Sequence, residues 1–219
     1  LAKPIFDPQS LSIDSIAGEA AVDAARLSAQ WLRSRFANPP HWVPEAGDAT
    51  LQQRENPRHA AVLVPLVLRD EGLTILLTRR TDHLTHHPGQ ISFPGGRTEA
   101  SDLSPADTAL RETEEEVGLA RSHVDIIGSL PDYYTGTGYL VRPVVGLIAP
   151  PFGLRPDPSE VAEIFEVPLA FLMDGANHQR LSAELPSGRR SFYAMPYQRF
   201  YIWGATAGML RNLFHLLRA

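Results

Sequence analysis

Apolar positions change period several times along the chain, and the changes mark its elements. Residues 61–68 form a continuous apolar run of strand length, in which Pro65 predicts an edge position or a bulge. Asp70-Glu71-Gly72 is a turn signal, and residues 73–79 read as the returning strand. Further strands are predicted over 90–93, 124–130, 140–148 and 161–167, and one more near Leu11 and Ile13. Segments 179–184 and 190–195 flank Pro186-Ser187-Gly188 as a hairpin, and four prolines make 149–158 a loop. Helical spacing appears at Ala21, Ala24, Ala25, Leu27, Trp31 and Leu32, predicting a helix over 15–36 that Asn38-Pro39-Pro40 ends. Pro168 opens a short helix ending near Asp174-Gly175. A final helix over 204–217 carries the stripe Ala205, Met209, Leu213, Leu216 and Leu217.

Strands mixed with three or four helices predict an α/β (α+β) chain, an α/β/α sandwich around a mixed β-sheet. Residues 1–58 read as an N-terminal helical extension (helix 15–36, linker 37–58), and 59–219 as the core domain. The extension carries no chemical motif; covering a domain edge and making a homodimer contact are both open to it. With 219 residues the chain is long enough for one substantial core.

One stretch breaks from packing logic. Ser104 suits a helix cap, Pro105 a first helical position and Asp107 a capping-box acid, while Gly118 falls where a helix stops. At about 100° per residue, Ala109, Leu110, Thr113 and Val117 share an apolar arc. Glu112, Glu115 and Glu116 share the neighbouring one, while Glu114 points to solvent. Crowded like charges need compensation. A solvated acidic face and a divalent cation with oxygen ligands both satisfy that need, with Arg111 offsetting part of the charge. The preceding Phe93-Pro94-Gly95-Gly96 tilts the balance, because glycine lets backbone approach a ligand and offer the Gly96 carbonyl to a metal.

The run from Gly95 to Leu119 resembles the Nudix box, G-x5-E-x7-R-E-U-x-E-E-x-G-U with U aliphatic. It matches from Arg111 to Leu119 except for Thr113, and upstream Asp102 stands for the first glutamate at a spacing one residue longer. The resemblance implies a Nudix-type sandwich and a hydrolase that cleaves a nucleoside-linked pyrophosphate with Mg²⁺ or Mn²⁺. It implies Glu112, Glu115 and Glu116 as catalytic metal ligands, Gly96 as a further ligand and Arg111 as the orienting cation. One of the three glutamates, or Glu160 or Glu163 from a later segment, would take the proton of the attacking water.

Upstream, Leu76-Leu77-Thr78-Arg79-Arg80 leads through His83, His86 and His87 to Gly89-Gln90-Ile91-Ser92-Phe93-Pro94-Gly95-Gly96. A histidine metal site is disfavoured by Pro88 and by the lack of the HExxH glutamate. The string is similar to the signature of coenzyme A pyrophosphatases, with Thr85 where that pattern has arginine. This leaves Arg79, Arg80 or Arg97 to meet a phosphate. The loop Tyr133-Tyr134-Thr135-Gly136-Thr137-Gly138-Tyr139 is also similar to that subfamily. The resemblance implies Arg79, Arg80, His87, Gly89, Gln90, Tyr134 and Tyr139 as substrate-binding residues, although the tyrosines fit a plain packed loop equally well. The expected reaction splits coenzyme A or a derivative into 3′,5′-ADP and 4′-phosphopantetheine, or its acyl form. The alternatives are a Nudix hydrolase of ADP-ribose, a dinucleotide or another nucleoside diphosphate derivative, and a non-catalytic nucleotide-binding module.

Composition narrows the partners. The formal charge of -5 without a long basic run disfavours nucleic acid, and no apolar run is long enough to span a bilayer. The absence of cysteine excludes disulfides and thiolate chemistry. No secretory leader pattern opens the sequence, so a cytoplasmic setting and a small-molecule nucleotide partner are the expectations.

Overall fold

A computed structural model describes residues 7–45, 47, 56–83, 88–185 and 188–219. The central feature is an eight-stranded mixed sheet. Strand β2 (Arg58–Arg69) runs parallel to β8 (Tyr139–Ile148), from Arg58 opposite Tyr139 to Val67 opposite Ile148. On its other side β2 first pairs β5 (Gly95–Arg97) and then β3 (Gly72–Arg80), both antiparallel. Strand β3 in turn pairs β4 (Ile91–Ser92) at Thr78 and Arg79, with β9 (Val161–Pro168) along its opposite edge. Strands β2 and β3 therefore splay apart, and the segment β4–β5 wedges into the gap. Strands β6 (Val124–Ser129) and β7 (Tyr133–Tyr134) complete the far side against β8.

The expected edge position of Pro65 is corrected: β2 is interior, and Pro65 lies opposite Gly146 of β8. The N–H of Leu63, two residues earlier and on the same side, donates to the Pro94 carbonyl at 2.9 Å. Pro65 falls between the β5 and β3 pairings, where the splay leaves no ladder partner for an N–H it does not have.

Each face of the sheet is covered. Helix α2 (Pro105–Val117) packs Ala109 and Val117 over Ala61, Leu63, Val67, Val144 and Ile148. Helix α4 (Gly204–Arg218) joins Val64, Leu66, Ile75, Leu77 and Val145 on the other side. Its burial corrects the expected one-sided stripe. Ala207, Leu210 and Phe214 are as buried as Leu213 and Leu217. The reason is a second, four-stranded sheet of β1 (Ile13–Ile16), β10 (Gln179–Leu185), β11 (Gly188–Tyr197) and β12 (Phe200–Trp203), unforeseen as a separate layer. Met195 and Ile202 of that sheet share α4's core, and a helix buried nearly all round is packed on several sides. The predicted turn residues Pro186 and Ser187 lie outside the described residues, and the hairpin arms pair from Gln179–Ala194 to Leu185–Gly188. The short helix α3 (Leu169–Leu172) follows Pro168 as expected.

The helix expected over 15–36 is also corrected: only α1 (Ala29–Ala37) is α-helical, after a 3₁₀ turn at Ala24–Leu27. Backbone bonds Ala17 N–H to His178 O, Gly18 N–H to Gly175 O and Val22 N–H to Met173 O hold the preceding chain out of a helix. Gly18 sits at φ 70°, outside the helical region. Tertiary pairing overrides alanine's helical propensity there, and Ser28 caps the new start by accepting from Trp31 N–H. The extension is not separate from the core, since Val22 and Leu32 are buried in the same cluster as Leu77 and Phe214. The last carbonyls of α4 are met from the extension too. Arg26 donates to Leu217 O (3.1 Å) and Arg218 O (2.8 Å), and Arg35 donates to Ala219 O (3.1 Å).

Candidate active site

The site forms where the wedge meets α2. Ser104 Oγ caps the helix by accepting from Asp107 N–H (3.2 Å) and donates to the Asp107 carboxylate (3.0 Å), so the expected capping-box acid meets the cap's hydroxyl. Gly118 ends the helix at φ 69°. The loop after β8 then binds the helix end, with Arg155 N–H donating to Val117 O (2.7 Å) and Asp157 N–H to Glu116 O (2.9 Å). This loop delivers Glu160 to the start of β9.

The three glutamates expected to act together have different surroundings. Glu116 is buried, accepts from Gly95 N–H at 3.1 Å, and lies 3.6 Å from Arg80. Burial pushes its carboxyl up to about 7, with Glu160 and Glu112 adding to the rise and the Gly95 N–H and Arg80 opposing it. Glu112 faces Gly96 so closely that a Cβ there would run into its carboxylate. Burial raises its pKa as well, against the pull of Arg111. Glu115 is largely exposed and bonds Arg111 at 3.1 Å, while Glu114 points outward as expected, toward Arg121. Among the described residues, no three acidic or histidine side chains converge as a ready cation cage.

Arg111 organises the acidic face. Its Nε and Nη2 form a fork on Asp102 (2.9 and 3.0 Å), its Nη1 reaches Glu112 and Glu115, and Nη2 also donates to Arg97 O. Asp102 further accepts from Glu99 N–H and Thr108 Oγ1. Hydrogen bonds from Arg111 first, then from the Glu99 backbone, hold its carboxyl well below the usual range. The sequence marked Asp102 only as a variant box position. Its role as the anchor of Arg111 was readable from no local pattern.

The remaining expected residues divide. Arg79 pairs with Asp82 (3.5 Å) and Glu163 (3.7 Å), and Arg80 bridges Glu116 and Glu160 (3.5 Å). Gly89 adopts φ 67° beside Asp82, and the Gln90 carbonyl accepts from Arg80 N–H at 2.9 Å. The described ends of this segment, Arg79 to Asp82 and Gly89 to Gln90, thus lie together beside the wedge. His87 and Thr85 lie outside the described residues. Tyr134 pairs Leu140 within β7–β8, and Tyr139 lies under the Arg58 guanidinium, 4.1 Å from ring centroid to carbon. Neither tyrosine is among the groups bonded to the α2 carboxylates; both belong to the end of the sheet where β2 begins. A groove of about 450 Å³ lined by Phe36, Trp42, Leu130 and Leu216 lies apart from the carboxylates.

The donors present suit a hard divalent cation. Glu112 and Glu116 are carboxylates held beside a carbonyl-bearing glycine pair, and both are shifted toward protonation by burial that a cation would offset.

Residues 57–185 match the NUDIX domain. The "Uncharacterized Nudix hydrolase NudL" of Photorhabdus laumondii is 42% identical over 159 residues, spanning 73% of this chain and 84% of the relative. The protein of the same name from Escherichia coli K12 is 41% identical over 158 residues, spanning 72% and 82%. Among solved structures, a C. elegans Ap4A hydrolase covers 50% of this chain and 80% of its own at TM-score 0.45 and 18% identity, a likeness too slight to carry an argument.

Proposed function

The chain belongs to the NUDIX domain family and is a Nudix hydrolase, and from that premise we propose that its substrate is coenzyme A or a derivative. The family's shared chemistry is hydrolysis of nucleoside diphosphate derivatives. The observation that supports the finer reading is where the described parts of the signature-like segment lie. Residues 76–83 and 88–96 supply the end of β3, the Gly89 turn and the β4–β5 wedge, ending on the glycine pair that meets Glu112 and Glu116.

Glu112, Glu116 and the Gly96 carbonyl would hold Mg²⁺ or Mn²⁺, with Glu115 a further donor once released from Arg111. When bound, the cation neutralises diphosphate oxygens and polarises phosphorus. The protein contributes orientation: Asp102 fixes Arg111, Arg111 fixes Glu112, and the Gly95 N–H fixes Glu116. Glu160, 3.5 Å from Arg80 at the start of β9, is the proposed acceptor for the water proton. Water oxygen bonds to one phosphorus, the bridging P–O bond breaks, and the bridging oxygen leaves on the other phosphate. Coenzyme A yields 3′,5′-ADP and 4′-phosphopantetheine.

Purified protein with Mg²⁺ or Mn²⁺ is assayed on coenzyme A, ADP-ribose and a dinucleoside diphosphate, with products identified by mass. The expected result is the highest kcat/KM on coenzyme A, with both named products. Efficient cleavage of ADP-ribose alone would overturn the substrate reading and leave the hydrolase intact.

A further inference from the structure

We propose that Thr81, just past the end of β3, is a positioning residue that holds Glu160 in its working place beside Glu116. The inference rests on the assignment of Glu160 above as the acceptor of the water proton. Glu160 belongs to the loop between β8 and β9, and its side chain is half exposed. A proton acceptor must stand within hydrogen-bond reach of the water, so the backbone beneath it has to be fixed. Two anchors fix it, and they come from different elements.

One anchor is the end of α2. Asp157 N–H donates to the carbonyl of Glu116 itself at 2.9 Å, and Glu160 N–H (3.1 Å) and Val161 N–H (2.8 Å) both donate to Asp157 O. The Asp157 carboxylate closes the turn from within, accepting from Ser159 N–H (2.8 Å) and Ser159 Oγ (2.7 Å). The second anchor is Thr81. Its N–H donates to Glu160 O at 2.9 Å and its hydroxyl to Ser159 O at 3.2 Å. Thr81 is buried, so its hydroxyl needs a protein acceptor, and the Ser159 carbonyl supplies one.

The strand register puts Thr81 in this place. The β3–β9 ladder pairs Arg79 with Glu163 and then slips by one residue, so that Arg80 pairs Val161. An unbroken register would set Asp82 opposite Glu160, two like charges face to face. The slip brings Thr81 to Glu160 instead, the kind of local adjustment by which a bulge re-aims a side chain. The residue before Thr81 uses the same geometry. Arg80 reaches Glu116 at 3.6 Å and Glu160 at 3.5 Å, so both carboxylates lie around one guanidinium. Thr81 therefore acts on Glu160 through the backbone, one residue from the cation that the two carboxylates share.

Steady-state kinetics of the full chain with Mg²⁺ or Mn²⁺ test this on whichever of coenzyme A, ADP-ribose and a dinucleoside diphosphate wild type cleaves fastest, so the outcome is independent of the substrate reading. Glu160→Gln should lower kcat by about 10²-fold or more. Thr81→Val removes the hydroxyl at nearly the same shape and should lower kcat by about 10-fold, with KM changed by less than about 2-fold. Thr81→Ser keeps the hydroxyl and should retain kcat to within about 2-fold. In the Glu160→Gln background, Thr81→Val should cost less than about 2-fold more, because the group it positions is already gone. Circular dichroism checks that each variant is folded, and Thr81→Ala carries the same expectation if the valine variant is not. A Thr81→Val loss under about 2-fold, a loss in KM alone, or the full loss repeated in the Glu160→Gln background overturns the role of Thr81 while Glu160 stands as the acceptor. Wild-type-like turnover of Glu160→Gln overturns the assignment of Glu160, and the role of Thr81 with it.

Discussion

Gly96 and Glu116 separate chemistry from stability at single residues. A methyl at Gly96 meets the Glu112 carboxylate, the movable end of a side chain, and Gly96 is not among the glycines with positive φ. Gly96→Ala is therefore expected to displace Glu112 and lower kcat about 10²-fold or more while leaving the Tm within a few degrees. Glu116→Gln keeps an acceptor for Gly95 N–H but removes the anionic donor. Its kcat should fall by roughly 10²–10⁴-fold at saturating Mg²⁺, with the far-ultraviolet spectrum unchanged. Wild-type-like turnover in either variant would refute the arrangement. These residues were legible because their spacing is local. The fork between Arg111 and Asp102, nine residues apart, was not, since it depends on how the intervening loop closes.

At the scale of elements, α2 is the best-specified piece of the chain. Its cap, its first-turn proline and its terminal glycine all lie within the helix sequence, and each forms as expected. Gly118 has a second constraint that the sequence did not show. A Cβ there would sit 2.9 Å from the backbone of Arg155, in the loop that caps the helix carbonyls. Gly118→Ala should cost about 1–3 kcal/mol, combining the left-handed backbone with the clash, and denaturant titration measures it. A loss below 0.5 kcal/mol would show that the loop yields freely. The β4–β5 wedge, the interior place of Pro65 and the non-helical chain over 17–22 escaped sequence reading for one reason. Each is decided by partners in another segment, and periodicity records only a segment's own faces.

Two buried groups give the whole molecule an acid response with opposing parts. Arg211 can only donate to Nδ1 of His178, so Nε2 carries the ring proton and donates to Leu172 O at 2.8 Å. Burial brings this histidine down to about 4, and Arg211 draws Glu19 down to about 2. The unfolded histidine takes up a proton near 6.5, so its contribution is complete above that pH and is lost as pH falls toward 4. Glu19 contributes a loss of the same sign, beginning below about 4.5. Glu116, raised to about 7, acts the other way: the folded form holds its proton first, so its contribution grows as pH falls from 7 to 4.5. In metal-free wild type the histidine and Glu116 effects largely cancel. Glu116→Gln removes one side, and between pH 6.5 and 4.5 the variant should lose on the order of 2–3 kcal/mol relative to wild type in chemical denaturation. Identical pH profiles would refute the opposition.

The arginines that close the end of α4 also set a timetable. Arg26 leaves the ribosome well before its acceptor, since Leu217 O comes 191 residues later. At ordinary synthesis rates that interval is about 10–40 s, during which Arg26 has no α4 carbonyl to cap. Closure of this molecule therefore waits for α4 to be made, and a nascent chain that stops before Leu217 leaves Arg26 with no carbonyl there to fasten to.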